Sequence, residues 1–129
     1  MKKIIAVVAV GFVLMALGGV ASAHGTKSIT NKNLTIEAGI ANGAGTFTTG
    51  SAGHIDILVS ITMFRDGNQV LAASKSCHSD LGTCTKVGIK RFITCTQGHT
   101  AKVVIAGTVV VPNEPPTITW TSATKNCTG

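Results

Sequence analysis

Four histidines and four cysteines hold most of the chemistry open to this 129-residue chain. His24, His54, His78 and His99 are candidate copper ligands, since imidazole nitrogen suits that metal. What Cys77, Cys84, Cys95 and Cys127 do depends on the compartment they reach. Lys2 and Lys3 precede an uncharged run from Ile4 to Val20, and Ala21-Ser22-Ala23 supplies the small-x-small pattern of a signal-peptidase site. Residues 1–23 are therefore expected to be removed as a signal peptide. The rest, His24 to Gly129, is expected to be a single secreted domain, or periplasmic where the source has an outer membrane. No transmembrane segment is expected in it. In an oxidising compartment an even cysteine count points to two disulfides rather than zinc, for which no C-x2-C spacing exists. Three pairings are open. Cys77–Cys84 and Cys95–Cys127 are favoured, the first bracketing a short loop between strands and the second tying the C-terminal tail to a strand end.

Cleavage after Ala23 would place the α-amine and the imidazole of His24 on one residue, a pair able to chelate copper. A nitrogen from His54, His78 or His99 would complete a T-shaped site. The arrangement resembles the histidine brace of lytic polysaccharide monooxygenases and of small periplasmic copper-binding β-barrel proteins. That resemblance implies copper as a cofactor, with His24 as its first ligand. Phe47, Phe64, Phe92 and Trp120 are the only aromatic residues of the exported part, too few for an aromatic polysaccharide platform.

Catalytic constellations are scarce. Gly50-Ser51-Ala52-Gly53 follows Thr49, so the G-x-S-x-G elbow of a serine hydrolase is not met. His54 and Asp56 stand two apart and are expected on one strand face, without a nucleophile nearby in sequence. Five acids (Glu37, Asp56, Asp66, Asp80 and Glu114) leave little material for a paired-carboxylate hydrolase. Neither a Gly-rich phosphate loop nor a calcium loop is present. No catalytic residue is assigned, and the chain is read as a non-enzyme.

Charge points to a different kind of contact. Without Lys2 and Lys3, nine basic residues face those five acids, a mild positive excess that favours anionic surfaces such as envelope polymers or lipid headgroups. Lys86, Lys90, Arg91 and Lys102 are the residues expected to make that contact, with Lys86 and Lys90 on a common strand face. The basic residues form no run longer than Lys90-Arg91, which excludes a nucleic-acid footprint.

The elements that must position these residues follow a period of two. Leu34, Ile36, Ala38 and Ile40 alternate with more polar neighbours, as do Ile55, Ile57, Val59, Ile61 and Met63. Val87, Ile89 and Ile93 continue the pattern, with Arg91 breaking it. Val103 to Val111 is so rich in β-branched residues that a strand covered on both faces is expected. No stretch after residue 23 shows a helical period. Asp66-Gly67 is a strong hairpin turn and Asn42-Gly43 a second candidate. Pro112, Pro115 and Pro116 are expected to form a loop before the last strand. Gly39 to Gly53, glycine-rich and uncharged, reads as a mobile hairpin with an exposed edge.

Seven strands are expected, at about 33–41, 44–50, 54–64, 69–76, 85–95, 101–111 and 117–124. They predict an all-β fold, a small antiparallel immunoglobulin-like β-sandwich stapled by two disulfides. Thr117, Thr119 and Thr121 should line one face of the last strand, a solvent face that threonine keeps polar. The function expected is binding or surface interaction without catalysis, with a cell-envelope polymer or another protein as partner and no nucleic acid. The alternatives are a secreted cationic antimicrobial or toxin-like protein, and a copper-binding protein of the kind outlined for His24.

Overall fold

A computed structural model describes residues 26–50 and 53–129. The expected signal peptide and His24 lie outside the described residues. Eight strands follow in order: β1 (Ser28–Glu37), β2 (Ile40–Thr48), β3 (Asp56–Arg65), β4 (Asn68–His78), β5 (Lys86–Thr94), β6 (Thr100–Val111), β7 (Glu114–Thr121) and β8 (Lys125–Asn126). They form two antiparallel sheets, β1-β2-β5 and β4-β3-β6-β7, with β8 pairing to β6. The chain crosses between sheets after β2, β4 and β5, the immunoglobulin-like sandwich that the alternation predicted.

Both disulfides form in the favoured pairing, Cys77–Cys84 and Cys95–Cys127. The Asp66-Gly67 turn also forms, with φ of 55° and 82°, the positive values that a type I′ turn requires at both positions. The core lies between the sheets. Leu34, Ala41, Phe47, Val87, Ile89 and Ile93 on one side meet Ile57, Val59, Ile61, Met63, Val103, Ile105 and Val109 on the other.

The N-terminal half corrects the expected register. Asn42-Gly43 is no turn: both residues lie inside β2, and the chain reverses at Ala38-Gly39, where Gly39 takes a φ of 79°. Most of the segment from Gly39 to Gly53 is thus the central strand of the three-stranded sheet, paired on both edges, and not a mobile hairpin with a free edge. Its glycines are there for close packing. A Cβ on Gly43 would come within 2.9 Å of Val103 Cγ2, and one on Gly45 within 2.8 Å of Ile105 Cγ2. Glycine inside a strand often marks such a close approach.

Two further expectations change. β6 is buried on one face only; Val104, Ala106 and Thr108 on its other face are half-exposed. Pro115 and Pro116 lie within β7, not in a loop, and are tolerated because β7 is an edge strand pairing only with β6.

Candidate binding face

Register between β2 and β5 decides which of the cationic side chains converge. Thr48 pairs with Lys86, Thr46 with Gly88, Ala44 with Lys90 and Asn42 with Phe92. Because side chains alternate across a strand, these eight residues share the solvent face of the three-stranded sheet. Lys86 and Lys90 therefore do lie on a common face, with Phe92 beside them and 59% exposed.

Arg91 has the opposite parity. It stands between inward-facing Ile89 and Ile93, opposite Gly43, yet remains exposed because β5 is an edge strand. Its guanidinium turns back and donates to the Lys90 carbonyl at 2.8 Å. Lys75 repeats the device on β4, the edge of the other sheet, where it pairs with buried Val59. Inward-pointing charges on edge strands oppose edge-to-edge pairing. Here they also bring both cations to one open side of the sandwich.

A shallow depression of about 470 Å³ lies at this place, lined by Asn31, Asn33, Thr46, Lys75, Lys90 and Arg91 together with the backbone around Gly45 and Gly88. Gly88 opens it: a Cβ there would sit 3.1 Å from Thr46 Oγ1. The asparagines come from β1, where the pairing shifts between Thr30 and Asn33 and Asn31 takes a φ of 50°. Amide side chains thus stand at one end and cations at the other, with no carboxylate in the lining.

Charge divides unevenly between the sheets. The three strands β1, β2 and β5 carry Lys32, Lys86, Lys90 and Arg91 against Glu37 alone. The other described acids, Asp56, Asp66, Asp80 and Glu114, all belong to the five-stranded sheet and its turns. Lys102 does not join the cluster. It projects from the opposite sheet, with Nζ 4.9 Å from the Phe64 ring centroid.

The three described histidines are held apart by separate acidic partners. His54 is buried and donates from Nε2 to Glu114 Oε2 at 3.1 Å, while its Nδ1 has no hydrogen-bond partner among the described residues. His54 and Asp56, expected on one strand face, do not contact each other through a hydrogen bond or ion pair. β3 begins at Asp56, and His54 precedes it in a bridge to Cys84, so the two side chains take different partners. Asp56 faces His78 Nδ1 at 3.9 Å, and His78 Nε2 lies 3.0 Å from Asp80. His99 Nδ1 bonds Asp66 Oδ2 at 2.5 Å, and the Thr100 N–H donates to Oδ1 of the same carboxylate at 2.9 Å. These two bonds, the His99 one foremost, hold the Asp66 carboxyl below the usual carboxylate range. Among the described residues no three histidines, cysteines or acids gather into a group able to hold a metal ion.

Of the contact residues expected from sequence, Lys90 and Arg91 line the depression and Lys86 lies on the same sheet face, while Asn31, Asn33, Lys75 and Gly88 were not singled out. The signal available was Gly88, a glycine inside a β-branched run, which marks a surface gap or a close approach. The chain matches no protein family, no curated protein and no solved structure, so the face is read from its own geometry.

Proposed function

We propose that this chain is an exported, non-catalytic binding module that holds an anionic envelope polymer across the outer face of β1-β2-β5. One observation carries the reading: the excess of positive over negative charge lies on the three-stranded sheet, where four cations stand against one acid, beside a depression whose lining contains no carboxylate. Lys75, Lys90 and Arg91 supply cations that phosphate or carboxylate groups would meet. Asn31 and Asn33 offer neutral donors and acceptors to the polymer between its charges. Export is supported by the leader-like residues 1–23 and by the two disulfides, which persist in oxidising compartments.

Retention of the purified protein on cell walls and on immobilised polyphosphate, followed across a salt series, tests the proposal. Binding should weaken as salt rises, because exposed charges are screened beyond a Debye length of roughly 8 Å at physiological ionic strength. Lys86→Gln with Lys90→Gln should weaken it while leaving the fold intact, since surface changes usually cost within about 0.5 kcal/mol. Gly88→Leu should block the depression without altering net charge. Retention that ignores salt and all three substitutions would reject the reading.

A further inference from the structure

The opposite face of the molecule has the reverse character. On the outer side of β4-β3-β6-β7 the register lines up three successive rows, each four strands wide. The central row is Ser74, Ser60, Ala106 and Thr119. On one side of it lie Ala72, Thr62, Val104 and Thr121. On the other lie Ser76, Leu58 and Thr108, with Thr117 completing the row through a 3.1 Å contact between the Thr108 and Thr117 hydroxyls. No charged side chain stands in these rows. The threonines of β7 are thus the margin of a two-dimensional array of hydroxyls and methyls that no single strand discloses.

Charge returns only at the two ends, and with opposite sign. Beyond the Thr62 row, Phe64 pairs with Lys102. Beyond the Leu58 row, Asp56 pairs with His78 on one side and Val111 on the other. We propose that this face packs against the same face of a second copy of the chain, about a two-fold axis running along the Ser60–Ala106 row. Such an axis reverses the strand direction. It lays the Lys102 end of one copy over the Asp56 end of the other, and the reciprocal contact forms at the opposite margin, as an isologous interface requires.

Two further quantities fit a second copy. Strands about 4.8 Å apart and alternate residues about 6.7 Å apart give the three rows of four residues and the two end rows of three on the order of 600 Å² per copy. The total, about 1,200 Å², stands at the lower bound of specific interfaces, so the dimer should be weak. The cationic sheets would face outward, separated by three inter-sheet gaps of about 10 Å each, well beyond the distance at which salt screens them. Like-charged copies can therefore associate through this face.

Sedimentation equilibrium of the purified secreted protein, without polymer, tests the dimer apart from the binding proposal. A monomer–dimer equilibrium in the micromolar range is expected. Ser60→Lys should abolish it, with circular dichroism showing the sandwich retained. Lys102→Asp should weaken it about tenfold by setting like charges against each other, and Lys102→Asp combined with Asp56→Lys should restore it. A monomer at every concentration overturns the proposal, as does failure of the charge swap to restore association. A monomer retained on neutral insoluble glycan, and released by Ser60→Lys, would overturn it in favour of a glycan-binding face.

Discussion

Lys27 and Glu114 form an ion pair inside the protein, with Nζ 3.0 Å from Oε1 and side chains only 9% and 8% exposed. The other carboxylate oxygen of Glu114 accepts from His54. One carboxylate therefore ties the stretch before β1 to the start of β7 and to the segment entering β3. A buried carboxylate that held only one of these partners would be far costlier to keep.

Removing one member of that pair should be expensive. Lys27→Met is expected to cost about 3 kcal/mol, because it removes the cationic partner of a buried carboxylate. Urea denaturation of the oxidised protein measures it. A loss below about 0.5 kcal/mol, the size of a surface change, would show that the pair contributes nothing as a buried one.

Asp66 gives the fold an acid-sensitive tie. Its bonds to His99 and Thr100 join the β3–β4 turn to the start of β6 and lower its folded-state pKa. A lowered folded pKa means that the contribution is complete above the unfolded value, near about 4, and is lost as pH falls through the folded value. Asp66→Asn should therefore lower stability at neutral pH and flatten its decline over that acidic range. Thermal melts of both proteins from neutral pH down to about pH 2 check this; parallel declines would contradict it.

The glycines of β2 should not accept side chains. Gly45→Ala would press a methyl against Ile105 Cγ2 and Cγ1, and Gly43→Ala another against Val103. Overpacking of this kind costs about 1–3 kcal/mol, despite alanine's better conformational entropy. Gly67→Ala in the turn meets no neighbour within 4 Å but requires a φ of 82°, so its cost would be backbone strain instead. Melting temperatures of the three variants separate the two causes when a Gly67→Asn variant, which tolerates positive φ, recovers stability and Gly45→Ser does not.

The Cys95–Cys127 bridge should matter more than Cys77–Cys84. It closes a separation of 32 residues against 7, and the chain-entropy account gives about 3–4 kcal/mol for the longer loop and less for the shorter. Cys95→Ala with Cys127→Ala should therefore lower the urea midpoint more than Cys77→Ala with Cys84→Ala. The reverse order would mean that the stapled loop from His78 to Thr83 anchors more of the fold than its length implies.

Local chemistry made much of this protein legible in its sequence. Alternation of apolar residues identifies strands because side chains of a pleated chain point to opposite faces in turn, and that pattern needs no partner to be read. Asp66-Gly67 declares its turn because few residues accept positive φ, and Cys77–Cys84 its bridge because short spacing brings two strand ends together. The tertiary structure alone decided what depends on register between distant segments. Asn42-Gly43 carries the residues of a turn, yet β5 and β1 pair with both its edges and Val103 fills the space beside it. Glu114 reads as one more surface acid until Lys27 and His54 are folded against it. Arg91 breaks its strand's apolar pattern in the sequence, and only the position of β5 at a sheet edge lets an inward residue reach water. The serines of β4 and β3 become one array with the threonines of β7 only when four strands align. A shift of one residue between neighbours would turn each of those side chains to the other face.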